Sequence, residues 1–484
     1  MTVSTRKLGQ PPGGFARLTS VERMYLRDET AAWPCHFGGL AVVDGAALLD
    51  GSGRLQLGVI KDRLTRRLGR VPQLRRRVLV PGPLRGAPLW VDDQRFAIDQ
   101  HVHETTVESP GGDAQLLVAA TRLHGRLLDR SRPLWELWFL TGLSDGRVGV
   151  LLKLHHAVAD GPATVALMAK LFDLAPDAAD PVAAPWTPEP LPGGWSLMAD
   201  NLSNKIRALG RGAAMLAHPL RLLRGARVFA LVVRRSLGQK GAPRTSLNQV
   251  VQAGRRVRFF RADLTAMKRA AHAHGGTVND VVLDLWSGGL RQLLVARGEP
   301  VADVELMAAL AVSTRSATAA GTIDNQVGTI VLPLPAWEAD PQSRLDQIVR
   351  TTREAKARRQ LPAAIMGVMA ALAATPLGRY LNLHQRAVNV IVTNVVGPPV
   401  PMYIFGARIL DVLPIVQLVG NIGLTLCAFS YAGRIYLVVT ADAAAFPDLD
   451  VLIEGMERDW QALTATPAAE PVTARPRPPA VLAT

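Results

Sequence analysis

Cysteine is nearly missing from this chain. Cys35 and Cys427 are the only two in 484 residues, which excludes a disulfide framework and a thiolate metal cluster and points to a reducing compartment. Acidic residues are also short, 40 against 55 lysines and arginines, leaving a net charge of +15. Such an imbalance calls for an anionic partner: nucleic acid, an acidic membrane surface or a phosphate-bearing substrate. Nucleic acid is set aside because no basic stripe interleaved with aromatics and no binding motif is present. No apolar run is long enough to span a bilayer, and the opening "MTVSTRKLGQPPGG" lacks the apolar core of a signal peptide. The chain is therefore expected to be cytoplasmic, soluble or resting on a membrane without crossing it.

What is present reads as an ordinary folded protein, 48% hydrophobic and 20% charged, too long for a single core. Helix-like and strand-like patterns alternate over 1–174. "ALLDGSGRLQLGVIKDRLTRRLGRV" predicts a helix ending before Pro72. "ELWFLTGLSDGRVGVLLKLHH" predicts a β-hairpin turning at Ser144-Asp145-Gly146, and "GPATVALMAKLFDL" a helix with Asp160 near its N-cap. Residues 175–249 begin as a Pro-rich linker and continue as Arg-studded apolar helices. No acidic residue occurs between Asp200 and Asp263, a pattern that suits either docking on a lipid surface or packing between domains. Strands and helices mix again over 250–465, closing with the hairpin "GLTLCAFSYAGRIYLVVTAD" and the helix "PDLDVLIEGMERDWQAL". Residues 466–484 read as a disordered tail. The fold class expected is α/β or α+β, with two domains of similar size.

The chemistry centres on "LKLHHAVADG", residues 152–161. If this stretch is a strand, His155 and His156 point to opposite faces, so one metal ion does not meet both, and His155, His156 and Asp160 make a poor ligand set. A Ser nucleophile is offered only by "GLSDG", residues 142–146, which falls between two strands rather than at a strand-to-helix elbow. The remaining reading is general-base catalysis by one imidazole at a strand end. The other histidine then packs into its own domain, Asp160 orients the loop, and Gly161 permits a tight turn.

The motif His155-His156-x-x-x-Asp160-Gly161 resembles the signature of the bacterial wax ester synthase/acyl-CoA:diacylglycerol acyltransferase family. That family is similar to chloramphenicol acetyltransferase and to peptide-synthetase condensation domains. "LTSVERMYLRDET", "HFGGL", "DRSRPLWELWFL", "TVNDVVLDLWSGGLR", "VSTR", "NQVG", "VTNVVGPP" and "SYAGRIYL" fall in the family's order along nearly the whole chain. Ala311, Tyr25 and Cys35 depart from its commoner Pro, Phe and Met. The resemblance implies two acetyltransferase-like domains with a tunnel between them. His156 would be the base for direct attack of an acceptor hydroxyl on acyl-CoA, with His155 in support. Asn279 would be a candidate donor to the oxyanion, or else a helix cap. Pro133, Leu134, Trp135, Asp280 and Arg315 would lie along the substrate path, the Pro133–Trp135 stretch packing near the tunnel mouth, Asp280 more structural than catalytic, and Arg315 holding Asp160 or a CoA phosphate. Acyl-CoA is then a substrate, no cofactor or metal is needed, and the partners are diacylglycerol or a long-chain alcohol and an anionic membrane or lipid-droplet surface. A lipid-binding protein without activity, or a transferase using carrier-protein thioesters, are the other functions this fold would serve.

Overall fold

The computed structural model describes residues 15–159, 161–182, 185–216, 227, 241–313, 327–357 and 376–465. The first half contributes strands β1 (His36–Asp44), β2 (Arg76–Leu79), β3 (Leu89–Asp92), β4 (Val102–Thr106), β5 (Trp135–Thr141) and β6 (Arg147–His155). The second contributes β7 (Arg255–Asp263), β8 (Glu305–Ser313), β9 (Val327–Pro335), β10 (Val390–Val396), β11 (Tyr403–Ile404), β12 (Ala407–Ile415), β13 (Leu424–Tyr431) and β14 (Arg434–Asp442). Twelve of them build two six-stranded sheets, ordered β11-β12-β1-β6-β5-β4 and β7-β14-β13-β10-β8-β9, while β2 and β3 pair with each other. Helices alternate with these strands, giving the mixed α/β class expected.

The two halves of the sequence are not two closed units. Residues 403–415 leave the second half for the first sheet: β12 pairs antiparallel with β1, Leu40 facing Leu413, and β11 pairs with β12. The chain then returns to the second sheet through β13, which pairs parallel with β10. Phe429, Tyr431, Tyr436 and Val438 of the second sheet join the core of the first. The Pro-rich stretch after residue 174 is also tied down: Arg63 and Arg67 bind Asp180, and Arg75 stacks 4.8 Å over the Trp186 ring.

Local sequence accounts for the elements around the site. The hairpin turns where expected, with Asp145 at φ 69°, a conformation that a short polar residue tolerates. Along β5, Trp135, Leu137 and Phe139 are buried while Glu136 and Trp138 are half-exposed, the period-2 pattern of a strand with one face on a core. The helix expected from residue 47 starts only at Leu57. A turn held by the Asp50 carboxylate, with Gly53 at φ 77°, consumes the preceding residues. The helix Val278–Ala296 is buried nearly all round, as its almost continuous apolar run requires. Arg344, 1% exposed, pins it by bonding Asp284 Oδ1 at 2.8 Å and also binds Asp459 on the final helix. Gly288 leaves room for that second contact, since a Cβ there would stand 1.7 Å from Asp459 Oδ2.

Candidate active site

His155 ends β6, and strand pairing there anchors both histidines. His155 pairs with His36 on β1, its N–H bonding Leu134 O at 3.1 Å and that of His156 bonding Cys35 O at 3.0 Å. With the backbone held on both sides, the two rings diverge. His155 is fully buried in the first domain. His156 is half-buried and lines a cavity of about 470 Å³.

That cavity lies between the two sheets. Ala41, Val150 and Leu152 of the first sheet face Ile391, Thr393 and Phe429 of the second across it. Helix Gly161–Leu171 supplies Thr164, Val165 and Met168. Two aromatic rings set the His156 imidazole: Tyr25 stacks on it with centroids 5.0 Å apart, and Phe37 meets it edge-on at 5.0 Å. This crowding desolvates the ring, and burial, with the neighbouring His36 imidazole in support, pushes its pKa down to about 4. At neutral pH the imidazole carries no charge and is able to take a proton.

Behind His156 lies a buried cluster that sequence reasoning did not anticipate. Glu29 follows helix Ser20–Asp28 as its C-cap and points inward. Its Oε1 stands 3.5 Å from His155 Nε2 and 3.7 Å from His36 Nδ1, while Oε2 binds Arg130 at 2.8 Å. Burial disfavours the Glu29 anion, but the His36 and His155 rings and the Arg130 guanidinium outweigh it and bring its pKa to about 2. His155 is held neutral by burial, at about 3, despite the Glu29 charge. Its Nδ1 accepts from the Ala157 N–H at 2.9 Å, so the proton of the neutral ring sits on Nε2, facing Glu29. His36 extends the cluster, its Nε2 bonded to the His124 carbonyl. The only hints in the sequence were the carboxylate just past the first helix and the histidine opening "HFGGL".

The other expected residues divide sharply. Gly161 opens the helix that walls the cavity. Asp160 and Arg315 lie outside the described residues. Pro133, Leu134 and Trp135 do not line the cavity, contrary to the substrate-path expectation. All three are buried, and Trp135 belongs to the first core, donating to Leu74 O at 2.7 Å and stacking on His101 at 4.6 Å. Asp280 is likewise structural. Its carboxylate closes a capping box with Thr277 and accepts from Thr352 at 2.6 Å. Asn279, the candidate oxyanion donor, is exposed, and its side-chain oxygen accepts from Asn394. On β10 it is Thr393 and Val395 that line the cavity, so Asn394 points to the other face and holds Asn279 there. Among the described residues no group of three His, Cys, Asp or Glu is placed to hold a metal ion.

With this geometry in view, residues 18–282 match the wax ester synthase/diacylglycerol acyltransferase catalytic domain, and residues 323–464 match the C-terminal domain of the same family. The chain belongs to that family. It is an acyltransferase. A probable diacylglycerol O-acyltransferase of Mycobacterium tuberculosis is 31% identical over 449 residues, covering 90% of this chain and 93% of the relative. A putative diacylglycerol O-acyltransferase of Mycobacterium bovis is 29% identical over 447 residues, covering 90% and 96%. The fold is similar to that of the wax ester synthase/diacylglycerol acyltransferase from Marinobacter aquaeolei, with a TM-score of 0.69 at 22% identity over 93% of this acyltransferase and 99% of the other chain. It is also similar to the first condensation domain of the CDA synthetase, with a TM-score of 0.57 at 17% identity over 95% and 98%.

Proposed function

We propose that this acyltransferase moves a long-chain acyl group from acyl-CoA to the hydroxyl of diacylglycerol, and of long-chain alcohols where they fit, with His156 as the general base. One observation carries the reading: a neutral imidazole stands in a greasy cavity between the two sheets, where an acyl chain and an alcohol can meet. The cavity forms the middle of the tunnel implied by the family resemblance.

The acceptor hydroxyl gives its proton to the ring of His156 as its oxygen attacks the thioester carbonyl. A base of pKa about 4 is weak in the resting cavity. The negative charge growing on the carbonyl oxygen nearby stabilises the imidazolium, so proton transfer and C–O bond formation support each other. Collapse of the tetrahedral adduct breaks the C–S bond, and the imidazolium returns the proton to the departing thiolate. No acyl-enzyme and no cofactor enters. Positioned general-base catalysis of this kind contributes roughly 10²–10⁴ in rate. His155 and Glu29 touch no substrate and serve to position the strand end that carries His156.

The protein reaches these substrates at an anionic membrane or lipid-droplet surface on the cytoplasmic side. Among the described residues no helix is long and apolar enough to cross a membrane. Helix Gly194–Leu216 instead exposes Trp195, Leu202, Ile206 and Leu209, beside Lys205 and Arg207. It is held to the first domain by Leu197 and by Arg17, whose Nε bonds Asp200 at 2.8 Å. An apolar stripe flanked by cations is suited to an anionic interface. Flotation with anionic vesicles should be lost when the four apolar residues become Ser; undiminished flotation would refute the docking role.

The reaction itself is tested by incubating purified protein and labelled palmitoyl-CoA with each acceptor in turn and resolving the products by thin-layer chromatography. Label is expected in triacylglycerol, and absence of any labelled ester would overturn the assignment.

A further inference from the structure

The cavity beside His156 is walled mainly by carbon, yet two oxygens in that wall have no partner among the described residues. Thr425 is 2% exposed and lines the cavity, and its Oγ1 makes no hydrogen bond. Gln417 lines the same cavity, and its Oε1 is buried and equally unpaired. The sheet offers no relief. Thr425 stands beside Ile391 on β10 and opposite Thr440 on β14, whose own Oγ1 is also without a partner. Buried polar groups are ordinarily paired, and two side chains that line a cavity with their oxygens buried and unpartnered point to a ligand that pairs them.

Strand register locates the pair. Gly38 faces Ile415 across β1 and β12, and His36 faces His155 across β1 and β6. β12 ends at Ile415, so Gln417, two residues on, lies past the strand end toward the side of the sheet where His36 faces His155. Gln417 therefore stands at the same end of the first sheet as His156. Thr425 comes after the chain has crossed into the second sheet, so the two polar groups flank the crossing.

We infer that Thr425 and Gln417 bind the ester groups of a glyceride acceptor, making the preferred acceptor a diacylglycerol rather than a simple long-chain alcohol. This rests on the acyltransferase reading above. A fatty alcohol has one polar group, the hydroxyl consumed at His156, and leaves both oxygens stranded. A diacylglycerol brings two ester carbonyls besides its hydroxyl. Turned about χ1 toward the cavity, the Thr425 hydroxyl donates to one, and a half-turn of the Gln417 amide presents Nε2 to the other. A site with polar groups fixed in an apolar wall rejects the ligand that cannot satisfy them.

The test is a ratio: kcat/KM with 1,2-dipalmitoylglycerol over kcat/KM with 1-hexadecanol, at fixed palmitoyl-CoA. Thr425→Val keeps the side-chain shape and suits a strand. It should lower the ratio about tenfold, chiefly through KM for the glyceride, with Thr425→Ser restoring it. Gln417→Leu should lower the ratio in the same direction. An unchanged ratio in both variants overturns the inference. A second readout needs no turnover: displacement of a fluorescent fatty acid from His156→Ala protein by each acceptor. Weaker displacement by the glyceride alone when Thr425→Val is added upholds the inference whatever group acts as base, and equal displacement overturns it.

Discussion

The ring of Tyr25 lies against the ring of His156, the centroids 5.0 Å apart and the planes inclined by 21°. Tyr25 comes from helix Ser20–Asp28 and His156 from the loop after β6, so the contact joins two elements far apart in sequence. Because Glu29 caps the same helix, one short element both braces the imidazole and delivers the buried carboxylate behind it.

Removing that brace should cost catalysis more than stability. Tyr25→Ala frees the imidazole to rotate, and kcat is expected to fall about 10- to 100-fold, since small misplacements of a catalytic group carry penalties of this order. Tyr25→Phe retains the stacked face and should stay within a few-fold of the parent. Steady-state kinetics on both variants checks this; equal losses would mean that the hydroxyl, not the stacking, matters.

Glu29 should behave oppositely. Glu29→Leu leaves the Cys35 N–H, which now donates to Oε1 at 3.2 Å, and the Nε2–H of His155 facing an apolar side chain. The expected loss is about 3 kcal/mol of unfolding free energy, measured by urea denaturation. Glu29→Gln retains an acceptor and should lose less. Equal stability in Glu29→Leu and the parent would contradict the structural role given to this cluster.

The buried histidines also set the acid limit of stability. His155 titrates near 3 in the folded state because burial disfavours its charged form, against about 6.5 in an unfolded chain. The unfolded state therefore binds the extra proton first. Stability from this residue is complete above pH 6.5 and declines as pH falls toward 3. Between pH 7 and 5 the loss amounts to about 2 kcal/mol for one such group. His155→Asn keeps an acceptor for the Ala157 N–H without titrating, so its unfolding free energy should vary less with pH by that amount. An unaltered pH dependence would place the titration elsewhere.

The sequence carried the fold class because its strands and helices are patterned by local periodicity: the hairpin β5–β6, the closing β13–β14 hairpin and the final helix Leu449–Ala465 all lie where that patterning puts them. It also brought out His155 and His156 as a pair whose rings part company: His155 ends β6 and turns into the core, while His156, the first residue past the strand, lines the cavity. It did not disclose that 403–415 serves the first sheet, because pairing between distant strands leaves no local mark. Nor did it disclose Glu29 or Tyr25, which reach the site only once their helix docks. Asn279, Asp280 and the Pro133–Trp135 stretch were placed near the site because they accompany the family motif, with a helix cap, a structural carboxylate and packing as their other readings. Their positions instead reflect a capping box, a side-chain pair on the far face of β10 and packing of the first core. Motif membership and contact with substrate are separate properties, and only the assembled sheets distinguish them.

The role of His156 is the claim on which the mechanism stands, and its substitution by Ala tests it most directly. Initial rates of triacylglycerol formation from labelled palmitoyl-CoA should drop by about 10²–10⁴, while circular dichroism and the thermal midpoint stay close to those of the parent. A folded His156→Ala protein that keeps more than about a tenth of the parent rate would contradict the general-base assignment.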